Sequence, residues 1–177
     1  MKKECWTRKY ILRKGKVLLL ISMALYFTIV VFNNLVDYGT NFEFVRHVLS
    51  MDTTFQDSDL MWRSITTSWV HHLFYWVIIA WETVAAVFLW IGTVKGFKFL
   101  KTEKFEKSLN MGIVGLFIGL LLWLLAFMVV GGEWFAMWQS EIWNGQGAAF
   151  TMFTITGLVL LITLWKEENL FSGKKAK

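Results

Sequence analysis

The chain has no proline, one cysteine and three histidines in 177 residues. Without proline, no proline-imposed break interrupts its helices. With Cys5 alone, no intrachain disulfide can form, and its place in a basic tail suits a reduced thiol. Charged residues make up only 18%. A soluble domain of this length would alternate apolar and polar residues along its elements, whereas here the apolar residues come in blocks. A net charge of +5 suggests nucleic acid when read as a bulk value. That partner is set aside, because the charge is segregated along the chain rather than spread over a face.

What is present is 56% hydrophobic and 18% aromatic, with eleven tryptophans. Crossing a hydrocarbon core takes roughly 20 helical residues. Four runs suffice, at about 17–37, 69–94, 109–131 and 148–165. In lipid each must pair its own backbone donors and acceptors, so each is expected to be a helix. The first run resembles a secretory signal. Asn33-Asn34-Leu35-Val36-Asp37 follows it with no small-x-small cleavage site, which favours an uncleaved anchor. The expected fold is all-α: one integral membrane domain over 1–177, a four-transmembrane-helix bundle with a partly helical extracytoplasmic cap.

Sixteen of the eighteen Lys and Arg residues fall on one side of these runs. The N-terminal tail, the 95–108 loop and the C-terminal tail carry net charges of +6, +3 and +2. The opposite side, loops 38–68 and 132–147 together with Asp37 at the end of the first run, has Arg46 and Arg63 against seven acidic residues. The positive-inside rule therefore puts both termini in the cytoplasm. The basic side is explained by topology and by attraction to anionic lipid. Aromatic belts are expected at both interfaces, with Trp6, Tyr10, Trp90 and Trp165 inside and a heavier set outside.

Within the first outer loop, Thr40 and Glu43 have capping-box spacing. Phe42, Val45 and Leu49 follow at helical spacing, which predicts a short amphipathic helix over 41–50. Asp57 or Ser58 is a candidate cap for a further helical stretch. In the second, Trp134 and Trp138 are four apart and would share a helical face. Gln139, Trp143, Asn144 and Gln146 add an aromatic ring and three amides.

Glu82 is the strongest single candidate for chemistry. A carboxylate at bilayer depth costs several kcal/mol, so it should face the bundle and be paired or protonated. Thr28, Thr154 and Thr156 are candidate partners. His71 lies eleven residues earlier on the same helix face, roughly 16 Å away, with Tyr75 between them and Thr83 adjacent to the carboxylate. This stripe is either a path for a proton or ligand or a helix–helix interface. Haem is disfavoured, since His71 and His72 are neighbours pointing about 100° apart and the other three runs contain no histidine. A metal site would need His71 or His72 to converge with His47, Asp37, Glu133 or Glu141. No ligand spacing supports one, and no cofactor is expected. Gly112, Gly115 and Gly119 permit close helix approach, within the bundle or between copies.

The stretches from Asn33 to Phe42 and from His47 to Phe55, with Glu133 to Ser140 and Trp143 to Gln146, resemble the signatures of a bacterial family of predicted small integral membrane proteins of unknown function. The similarity runs from about residue 17 to 166. It implies four spans and a bacterial inner-membrane location, and it supplies no activity. No nucleophile–base pair, phosphate loop or metal motif appears, so catalysis is the minority reading. The leading expectation is an accessory subunit of a larger membrane complex, or a homo-oligomer, docking through the Trp-rich outer face. The rival is a small carrier of a proton, quinone or lipid-like ligand using His71, Tyr75 and Glu82.

Overall fold

The structure, a computed structural model, describes residues 8–166. Cys5, Trp6 and the tail beyond Lys166 lie outside the described residues. Six helices follow in order: α1 (Arg8–Val36), α2 (Tyr38–Ser50), α3 (Ser68–Lys98), α4 (Phe105–Ser108), α5 (Asn110–Leu121) and α6 (Gln146–Leu164). A π-helical stretch, Leu122–Trp134, continues α5 without a break. Four helical segments are long and apolar enough to cross a membrane: α1, α3, α5 with its π extension, and α6. The all-helical, four-helix architecture is the one the apolar runs predict.

α3 is the hub. It packs along α1 on one side and α5 on the other, while α6 packs against α5 and its extension. Small residues allow this. A Cβ on Gly92 of α3 would overlap the Gly112 backbone of α5. Gly115 lies against Leu89 and the Ala85 carbonyl, and Gly119 against the Phe27 ring of α1. Close backbone approach of this kind substitutes for a hydrophobic driving force, which helices in lipid lack. Around it lies a core that includes Leu20, Phe27, Leu89, Leu116 and Leu122, all fully buried.

The two ends of the bundle differ. At the basic end, two cations are buried. Arg13 donates from Nη1 to the Leu100 and Thr102 carbonyls at 2.9 and 2.8 Å. Lys16 donates to the Trp165 carbonyl at 2.6 Å and pairs with Glu106 at 3.1 Å. They tie α1 to the turn after α3, to α4 and to the end of α6. Trp90, expected in the inner aromatic belt, reaches across to α1. Its indole donates to Thr28 Oγ1 at 3.0 Å, about 18 Å of helix from Lys16.

At the acidic end the loops fold into a cap with its own core of Val45, Leu49, Met51, Tyr75, Phe135 and Met137. α2 begins at Tyr38, earlier than the amphipathic pattern suggests, and Asp37 alone separates it from α1. The capping box does not form, because Thr40 already lies inside the helix. Thr40 Oγ1 donates to Asp37 Oδ1 at 3.0 Å, and Glu43 takes Arg46 instead. No further helix starts at Asp57 or Ser58. That region holds turns and one 3-10 turn, Met61–Arg63, with the Ser58 hydroxyl accepting the Leu60 N–H.

Two non-glycine residues adopt left-handed backbone, Met51 (φ 54°) and Ala136 (φ 50°). Both are fully buried in the cap core. Burial there holds a conformation that costs roughly 1–2 kcal/mol per residue.

Candidate functional site

The polar stripe on α3 forms as a buried seam. His71, Tyr75, Ile79 and Glu82 are all buried on the face turned to α1 and the cap. Glu82 does not pair with Thr28, Thr154 or Thr156. Its Oε2 accepts the side-chain N–H of Asn34 at 2.7 Å. The Tyr75 hydroxyl donates to the Asn34 backbone carbonyl at 3.2 Å. Asn34 is therefore a node that satisfies two buried groups of α3. It sits two residues before the end of α1, while Glu82 itself lies midway along α3. His71 donates Nε2–H to the Ile65 carbonyl at 2.7 Å, pinning the loop that enters α3. Thr83 lies off this seam, exposed, with its hydroxyl bonded to the Ile79 carbonyl of its own helix.

The other two histidines build the cap. His72 Nδ1 meets the Tyr38 hydroxyl at 2.8 Å, and its ring stacks on Phe42 at 4.1 Å. Burial pushes the Tyr38 hydroxyl pKa up. The Arg46 guanidinium only donates, so His47 Nε2 accepts from it at 2.8 Å. Nδ1 then donates to Asp52 at 2.8 Å. Trp143 stacks on the His47 ring at 4.6 Å. The hydrogen bond from Arg46 holds the Glu43 carboxyl below the usual carboxylate range.

The three histidines thus occupy three separate networks, and they do not converge with Asp37, Glu133 or Glu141. Among the described residues no group of three or more His, Cys, Asp or Glu is placed to hold a metal ion.

Trp134 and Trp138 do not share a helical face, because the left-handed Ala136 ends the helix between them. Trp134 meets Trp62 edge-on at 5.9 Å, and Trp138 meets Phe55 at 6.0 Å. Arg63 lies 4.6 Å from the Trp134 ring and 5.4 Å from the Trp62 ring, and donates to the Trp134 carbonyl at 3.3 Å. Gln139 Oε1 accepts the Phe55 N–H at 3.0 Å, and the Ser140 and Thr53 hydroxyls meet at 2.8 Å. These contacts stitch the two outer loops into one surface. Asn144 Oδ1 accepts the Gln146 N–H at 3.0 Å, turning the chain into α6. Glu133 and Glu141 are exposed at the rim. The sequence reading missed Asn34 and Arg63. Both carried a signal: an amide closing an apolar run, and one of only two cations on the acidic side.

Beneath the cap, α3 and the π stretch diverge around a cavity of about 320 Å³ with wholly apolar walls, including Phe74, Trp81, Leu125, Phe127, Phe135 and Met137. It lies on a neighbouring face of α3, roughly a quarter turn round the helix from Glu82. π turns widen a helix and recur at functional sites.

A search of curated proteins and a search of solved structures found no match to the chain. One family model matches residues 12–165, nearly all of the sequence. With its four apolar helices, the chain belongs to that family, the predicted small integral membrane proteins of DUF2165.

Proposed function

We propose that this protein is a non-catalytic accessory subunit of a larger membrane assembly, docking through its aromatic acidic face. In this reading the basic face and both termini lie in the cytoplasm of a bacterial inner membrane. The observation that carries the reading is the surface ridge in which Arg63 packs against both Trp62 and Trp134, themselves in edge-on contact. Trp62 is 71% exposed and Ile142 74%, on a cap whose interior is closely packed. Arg and Trp held rigidly on a surface are the composition of binding hot spots. The buried groups of the seam, His71, Tyr75, Glu82 and Asn34, are engaged with one another or with backbone carbonyls, whereas the ridge is exposed.

Purification in mild detergent tests it. The wild-type chain should recover a stoichiometric protein partner. The Trp62→Ala/Arg63→Ala variant should lose it while keeping its helical content. A lone, monodisperse wild-type chain overturns the proposal. A partner that is a second copy makes the ridge a homo-oligomer interface.

The apolar cavity favours a second reading, carriage of a lipid-like ligand. Its volume falls in the range of small-molecule sites. The ligand would lie between α3 and the π stretch, away from His71, Tyr75 and Glu82. Narrowing the cavity with Val130→Trp should then displace a co-purifying hydrophobic ligand.

A further inference from the structure

The apolar cavity between α3 and the π stretch is roofed at its acidic end. Val45 and Leu49 of α2 line it there with Phe135 and Met137, and all four are buried in the cap. Beside them Phe44 of α2 stacks on Phe127 of the π stretch at 6.3 Å. Further down, the walls open. Val77 is 51% exposed and Leu125 43%, with Phe74 exposed next to them. These three residues line the cavity and lie on membrane-spanning segments. The mouth therefore faces hydrocarbon, while the cap covers the side nearer water.

Chemistry and size narrow the occupant. The indole of Trp81 already donates to the Ile118 carbonyl at 3.0 Å, and the other wall side chains carry no strong donor or acceptor. A polar group taken inside would lose its hydrogen bonds to water and find no replacement. A protein helix, about 10 Å across, would fill 320 Å³ with roughly 4 Å of its length, so the space takes a narrow chain and not a helix. Depth agrees. The wall from Phe74 to Trp81 lies roughly 9–20 Å along α3 from its start at Ser68. That is the depth of the hydrocarbon of the leaflet on the acidic side.

We propose that the cavity holds one acyl chain of a phospholipid from the leaflet on the acidic side, entering sideways past Val77 and leaving its head group outside. The assignment rests on the second reading above and narrows its ligand. A quinone ring would bring carbonyl oxygens that these walls cannot satisfy, and a free fatty acid would bring a carboxyl group. A site of this kind selects by the chain and ignores the head.

Native mass spectrometry of the full chain released from nanodiscs tests the assignment. Phosphatidylglycerol and phosphatidylcholine with the same acyl chains should each be retained as one molecule, to the same extent. A phosphatidylcholine with a mid-chain hydroxyl should be retained about tenfold less. Val77→Trp, which blocks the mouth from an exposed position, should abolish retention, and so should Val130→Trp, which fills the cavity from the facing wall. Val84→Trp, seven residues further along the same face of α3 and outside the cavity, should leave it unchanged. Retention that survives both blocking variants overturns the proposal, as does equal loss in Val84→Trp. Retention that follows the head group, or that is equal for the hydroxylated chain, overturns it too. A co-purifying quinone displaced by Val77→Trp overturns the acyl-chain assignment and leaves the second reading standing. A wild-type chain that retains neither lipid nor quinone overturns both.

Discussion

The two polar ends of this bundle are held by different chemistry. At the basic end, single long cations reach across to other elements: Arg13 satisfies two carbonyls of the turn after α3, and Lys16 the carbonyl at the C-cap of α6. At the acidic end, two loops build a small core of their own and seal it with stacked rings and short-range hydrogen bonds and ion pairs among their own side chains. The basic end is thus a clasp and the acidic end a lid. The clasp is built on cations bound to backbone carbonyls, while the lid presents rigid aromatics to whatever lies beyond it. Charge sorting alone would assign the basic end to topology and look for content only at the other. The buried cations show that topology signals can also be structural.

Substitutions separate the two ends from the bundle they share. The largest expected effect strikes both at once. Gly92→Ala drives α3 off α5 and should lower stability by more than about 3 kcal/mol in detergent unfolding. Gly15→Ala, where nothing lies within 4 Å of the new Cβ, should be neutral or slightly stabilising.

Next comes the seam under the lid. Asn34→Leu strands Glu82 and should cost about 2–3 kcal/mol, whereas Glu82→Gln still accepts the amide proton and should keep most of the stability. Equal losses in the two variants would mean that the carboxylate charge itself matters.

At the clasp, Lys16→Met removes a cation whose partner Glu106 is partly exposed. Its cost should be smaller, about 1–2 kcal/mol, measured the same way.

The smallest effect on stability is expected at the ridge. Trp62→Ala should change unfolding by less than about 0.5 kcal/mol while weakening partner recovery. If it destabilises as much as Asn34→Leu, the ridge is part of the lid's core and not a docking face.

The four long helices were legible because apolar blocks of that length have one solution in lipid. The helix in the first outer loop was legible from its periodicity, but its start was not, because Asp37 breaks α1 only locally. Glu82 stood out by its type. Its partner Asn34 did not, since an amide ending an apolar run reads equally well as the start of a loop. Arg13 and Lys16 look in sequence like every other basic residue of their tail, and only the turn after α3 and the end of α6 distinguish them. The break at Ala136 is invisible in a stretch of good helix formers, because tertiary packing imposes it. No residue in Leu122–Trp134 marks the π-helical stretch.

The contrast between the two ends is tested most directly by photo-crosslinking in native membranes. A photoreactive residue at position 142 on the lid is compared with one at position 18, on α1 near the basic end. The lid position should yield a discrete protein–protein adduct, and position 18 should yield lipid adducts alone. A protein adduct from position 18 with none from position 142 would contradict the assignment of docking to the acidic face.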